Sequence, residues 1–179
     1  MANVDDEIAS QPACWRHASG VAPVFEIALP HRGHRVAVIG CGTSWFVAQA
    51  YATLREAYGQ GETDAYQASE FSSSRRHYHR VVAITRSGAT TEVLDALRGL
   101  PHGTPITALT ADPASPVVKL ATDPIPLPFA DERSVVQTRF ATTALALLRA
   151  HLGEDLAPAI ADATAALDAV LPLDVAGTE

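Results

Sequence analysis

The chain has 179 residues, 47% of them hydrophobic, with two cysteines and a formal net charge of -7. That length makes one domain with a real core, and the acidic balance argues against broad nucleic-acid binding. No apolar run is long enough to span a bilayer, no basic-then-apolar signal pattern opens the chain, and the distant Cys14 and Cys41 read as reduced thiols, so a cytoplasmic protein without membrane attachment is expected.

In chain order, residues 1–10 read as a frayed leader and 12–18 as a helix start, broken by Gly20, Pro23 and Pro30, with a turn at 30–34. A first strand at 35–39 ends in Gly40-Cys41-Gly42 and is followed by a helix at 44–58. A short strand is expected at 64–67, a helix or turn at 68–71 and a polar loop at 72–76. A third strand at 81–85 leads into a second hydroxyl-rich turn and a helix through Leu100. A fourth strand occupies 105–109, a short helix ends at Leu120, and 125–127 is a proline-flanked edge strand. Two helices follow, 134–152 and 155–171, with a polar-ended tail at 171–179. Short apolar strands alternating with helices indicate an α/β domain with a parallel sheet. The expected division is 1–34 as leader and helix, 35–152 as the ligand-binding domain, and 153–179 as final helix and tail.

The chemistry concentrates in two turns. Gly40–Ser44 joins a strand to a helix start, so backbone N–H groups and the positive end of a helix dipole converge on one point. Thr43 or Ser44 can cap the helix, leaving the other hydroxyl for an anion. Thr85-Arg86-Ser87-Gly88-Ala89-Thr90-Thr91-Glu92 repeats that logic with four hydroxyls and a cation. Taken alone it is an ordinary capping loop, with Glu92 closing a capping box. Two such turns, both after strands and therefore at one end of the sheet, favour a compact phosphate. A dinucleotide fits less well: Trp45 stands where the third glycine of a G-x-G-x-x-G turn would be. No cofactor is expected, and no metal set, since His77 and His79 lie among Arg75, Arg76 and Arg80 as a basic rim. Cys41 at a strand end reads as a packed residue, not a nucleophile.

Four motifs in order carry a family resemblance. Cys41-Gly42-Thr43-Ser44, Ala68-Ser69-Glu70-Phe71, Thr85-Arg86-Ser87-Gly88-Ala89-Thr90 and Glu132-Arg133-Ser134-Val135-Val136-Gln137-Thr138-Arg139 resemble the C-G-T-S, A-S-E-F, S-Q-S-G-E-T and E-x-x-V-A-S-T-K motifs of the sugar isomerase (SIS) family. The form resembles the first SIS copy in the isomerase half of glucosamine-6-phosphate synthase, and the likeness spans roughly residues 35–150. It implies a three-layer α/β/α sandwich with a five-stranded parallel sheet, a flavodoxin-like SIS fold.

The resemblance also implies that a sugar phosphate is the ligand, with Ser44, Ser87 and Thr90 on the phosphate, Thr43 and Thr85 nearby, and Val135 and Gln137 at the sugar. Arg86 replaces a glutamine and adds a cation beside the phosphate; Gln137 and Arg139 replace a serine and a lysine, so the sugar end differs. Glu132, after the fifth strand, is the candidate base for moving a proton between adjacent carbons; the plainer reading, a helix-start acid paired with Arg133 or Arg139, is preferred. Glu70 is read as a structural hydrogen-bonding acid. In two-copy members the catalytic Glu, His and Lys belong to the second copy and the tail. Three outcomes therefore stand open: a phosphosugar-binding half of an isomerase or deaminase-like enzyme, a stand-alone isomerase working as a homo-oligomer, or a non-catalytic phosphosugar sensor.

Overall fold

The computed structural model describes residues 2–72 and 76–169. The expected tail at 171–179 and the centre of the polar loop at 72–76 fall outside the described residues. In order the elements are α1 (Ala2–Ala9), α2 (Gln11–Val21), a 3-10 segment (Ala22–Ala28), β1 (Val36–Gly40), α3 (Thr43–Ala57), β2 (Thr63–Gln67), β3 (Arg80–Ile84) and α4 (Thr91–Arg98). There follow β4 (Ile106–Thr110), α5 (Pro116–Leu120), β5 (Asp123–Pro126), α6 (Arg139–His151) and α7 (Ala157–Asp168).

All five strands are parallel, in the order β2-β1-β3-β4-β5. The three inner strands are buried along their whole length, so their sequences are continuous apolar runs instead of alternating ones. Alternate residues still face opposite layers. Val36, Val38, Val82 and Ile84 join α2, α3 and α6, while Ala37, Ile39, Val81 and Ala83 join α4 and α5. This is the expected three-layer sandwich. β5 is an edge strand, which accommodates Pro124 and Pro126.

Three expectations are corrected. The leader is not frayed: residues 2–9 form α1, with Glu7 buried at its inner side. Gly20 does not break the second helix, because Ala18 and Ala22 are packed into the core on either side of it and the chain coils on to Ala28. The long helix begins at Arg139, not at 134, for a reason that lies in the site described below.

At the end of the sheet opposite to the strands' carboxyl ends, Arg55 is fully buried on α3. Its guanidinium donates to the carbonyls of His31, His34, Gln60 and Gly61 and to the Thr63 hydroxyl. His31 and His34, expected as loop residues, join His79 and His77 in a chain of ring contacts at 5.2 to 5.9 Å, stacked between His34 and His79 and edge-on in the other two pairs. Backbone N–H of Arg35 donates to His79 Nδ1 at 2.9 Å, which leaves the neutral ring's proton on Nε2. Burial first, and then the neighbouring His31 and His79, push the His34 imidazole below its ordinary value. Among the described residues no cluster of three or more ligating side chains can hold a metal, and no helix is long and apolar enough to cross a membrane.

Candidate functional site

β1 has β2 on one side and β3 on the other, so the chain reverses direction across the sheet between them. Ligand sites in open α/β sheets form beyond the carboxyl ends of the strands at such a reversal. Gly40 pairs with Ile84 across the two strands, which places the turns after β1 and β3 side by side.

In the first turn the helix starts directly on the strand end. A Cβ on Gly40 would lie 2.7 Å from the Ser44 carbonyl carbon and 2.8 Å from its oxygen. Gly42 has φ +54 and is the N-cap of α3, with no side-chain cap. The expectation that Thr43 or Ser44 caps the helix is therefore corrected. Both residues are already inside it, Thr43 exposed and Ser44 only 2% exposed. Cys41 is half-buried, and burial pushes its thiol up, as befits a packed residue.

The second turn closes with the Gly88 N–H donating to the Thr85 carbonyl. Gly88, at φ +59, lies against Ser115 so closely that a Cβ would fall 2.0 Å from Ser115 Oγ. Thr90 is the N-cap of α4, yet neither it nor Glu92 makes a capping-box bond. Thr90 Oγ1 instead lies 3.2 Å from Thr85 Oγ1, and exposed Ser87 accepts the Ala89 N–H at 3.3 Å. The Thr85 and Thr90 hydroxyls of this turn thus lie against each other, and the N-cap Thr90 does not close off the start of its helix.

Arg86 reaches sideways. Its Nη1 donates to the Glu132 carbonyl and lies 3.7 Å from Asp131 Oδ1. The expected cation is present, but its Nη1 is engaged by the loop after β5. In that loop Glu132 is 2% exposed. Its carboxylate accepts the N–H groups of Thr138 (2.8 Å), Arg139 (2.9 Å) and Phe140 (3.2 Å) and the Thr138 hydroxyl (3.2 Å). These are the orphan donors of a helix start, and α6 has no other side-chain cap. This is why α6 cannot begin earlier: the amides that would propagate it are held by Glu132. It also corrects the expected ion pair, because Glu132 meets the backbone of Arg139 while the Arg139 guanidinium donates to Asp131 and Ser10. Val135 and Gln137 lie in this non-helical loop, Val135 99% exposed and Gln137 half-buried. Glu70 is exposed in a short 3-10 turn (Ala68–Glu70).

A hollow of about 790 Å³ lies elsewhere, between α2 and the start of α7, and shares no lining residue with these turns. The sequence reading missed Glu7, which binds the loop from α1, and Ser115, which braces Gly88. Neither stands in a motif; a lone acid in an acidic leader carries no local sign of its partner.

The same fold occurs in solved structures of proteins described as phosphosugar isomerases and as a glucosamine-6-phosphate deaminase. The C-terminal domain of glucosamine-fructose-6-phosphate aminotransferase from Francisella tularensis matches at 20% identity and a TM-score of 0.64, over 90% of this chain and 51% of that one. A protein of Methanococcus jannaschii, whose structure was taken to infer a 3-hexulose-6-phosphate isomerase function, matches at 17% identity and 0.61, over 93% and 97%. The NanR protein of Vibrio vulnificus, complexed with ManNAc-6P, matches at 19% identity and 0.61, over 93% and 67%. The chain spans about half the length of several of its matches, the aminotransferase domain among them. No protein-family model and no curated protein matches the sequence. At these identities the likeness establishes the fold; function has to be read from the site.

Proposed function

We propose that this chain is a phosphosugar-binding SIS domain, with Thr43, Ser44, Thr85, Ser87 and Thr90 around the phosphate and the loop with Val135 and Gln137 on the sugar side. The observation that carries the reading is the pair of hydroxyl-bearing turns at neighbouring strand ends, each opening a helix that no side chain caps. Two helix N-termini, the hydroxyls the turns carry and Arg86 on the flank suit a dianionic monoester.

Within that reading the chain serves as one copy of an aldose–ketose isomerase or of a synthase- or deaminase-like enzyme, completed by a second SIS domain or a second copy of itself. The likeness of its fold to the C-terminal domain of glucosamine-fructose-6-phosphate aminotransferase, half of whose length it spans, supports this form. The commitment of Glu132 to α6 favours a binding unit over a self-sufficient catalyst. The same observation supports the second reading, a phosphosugar sensor, which the NanR likeness also favours.

The test is thermal stabilisation by fructose 6-phosphate, compared with fructose and with inorganic phosphate. A ligand at 100 times its dissociation constant adds about 2.7 kcal/mol, which for a chain of this size is roughly 5–10 °C in melting temperature. Ser87→Ala combined with Thr90→Ala should abolish the shift. Equal shifts with fructose and its phosphate would sink the phosphate assignment. Proton–deuterium exchange at the carbon beside the carbonyl, followed by NMR, then separates enzyme from sensor.

A further inference from the structure

The N-terminal helix reaches the ligand loop through one side chain. Glu7 on α1 is 4% exposed, and its Oε1 accepts the backbone N–H groups of Arg133 at 2.6 Å and Ser134 at 3.2 Å. Neighbouring contacts fasten the same strip: Arg139 Nη1 donates to Ser10 Oγ at 3.0 Å, and the Thr142 hydroxyl donates to Gln11 Oε1 at 2.8 Å. Glu7, Glu132 and Arg139 line a hollow of about 220 Å³ between α1 and the loop.

The loop between Glu132 and Thr138 contains no helix or strand, and its Val135 and Val136 are exposed. Apolar packing therefore does little to define its shape. Hydrogen bonds at its start do so instead. Glu132 grips α6, Arg86 grips the Glu132 carbonyl, and Glu7 takes the next two amides in line. Loop amides left without a protein partner would exchange freely with water, whereas a carboxylate holds them with bonds roughly twice as strong as neutral ones.

We infer that Glu7 is a positioning residue, through which α1 latches residues 132–138 beside the second hydroxyl turn and so sets the fit of the sugar but not of the phosphate. The inference rests on the proposed reading of this loop as the sugar-facing one. The latch stays charged at neutral pH: the Ser134 hydroxyl chiefly, with the Arg133 and Ser134 amides, holds the Glu7 carboxyl below the usual carboxylate range against the opposing effect of burial.

The experiment uses the whole chain as wild type, Glu7→Ala and Glu7→Gln. Amide exchange at Arg133 and Ser134 is followed by NMR without ligand, and binding of fructose 6-phosphate and inorganic phosphate is measured by calorimetry. In Glu7→Ala, exchange at the two amides should accelerate about tenfold or more. The dissociation constant for fructose 6-phosphate should rise about tenfold while that for phosphate stays within about twofold. Glu7→Gln, which keeps an acceptor oxygen, should recover part of both effects. Unchanged amide exchange in Glu7→Ala overturns the latch. Faster exchange with equal weakening of both ligands overturns the positioning role and leaves α1 as plain scaffolding. Should the wild type bind neither ligand, the proposed function fails, and the latch stands or falls on the exchange rates of the two amides.

Discussion

Removing the Glu132 carboxylate should destabilise the domain as well as its loop. Glu132→Ala strips three backbone donors of their acceptor at the start of α6. Each fully buried donor left unmet costs about 1–3 kcal/mol. Phe140 is buried, whereas Thr138 and Arg139 are half-buried and regain water in part, so the expected loss is about 3–5 kcal/mol. Against a total stability of roughly 5–15 kcal/mol that is a large fraction. Glu132→Gln keeps one acceptor oxygen but gives up the charge and turns an amide donor toward a donor, for about 1.5–3 kcal/mol. Urea denaturation followed by circular dichroism, with a common slope, reads both values. A Glu132→Gln protein within about 0.5 kcal/mol of wild type, but unable to exchange the sugar proton that wild type exchanges, would refute the cap and restore Glu132 as the base.

The second turn should tolerate no side chain at Gly88. Gly88→Ala combines a left-handed φ of +59 with a contact at 2.0 Å to Ser115 Oγ, so it should lose about 2–5 kcal/mol together with ligand-induced stabilisation. Gly103→Ala, at φ +84 with nothing within 4 Å, should show only the backbone cost of about 1–2 kcal/mol and leave binding intact; equal losses at the two sites would contradict the close-packing account. Acid should weaken the fold by way of two half-buried imidazoles. Burial chiefly lowers both His34 and His151, the latter against a hydrogen bond to the Pro30 carbonyl, from an ordinary value of 6.5. The unfolded chain then binds protons that the native one does not, so their contribution is whole above about pH 6.5 and declines as pH falls toward the native values. Urea midpoints should drop between about pH 7 and pH 5.5, and less so in His34→Gln with His151→Gln; an unchanged slope would mean that neither ring titrates differently on unfolding.

Much of the architecture is legible locally. Val36–Gly40, Arg80–Ile84 and Ile106–Thr110 are buried on both faces, and burial on both faces forces an apolar run that a reader of the sequence can see. Gly40 and Gly88 mark the turns because a Cβ would collide there. The sequence by itself therefore determined the sheet, the two hydroxyl turns and their common end. Tertiary structure alone decided how the loop beside them is held. Glu7 meets a backbone amide 126 residues away, Arg86 meets the Glu132 carbonyl across 46, and His34 stacks on His79 from another loop. Where α6 begins was decided the same way, by a carboxylate lying outside the helix. The physical reason is one of range: turns and apolar runs obey sterics and burial among near neighbours, whereas a carboxylate's choice of amide is made only once the fold has brought the two together.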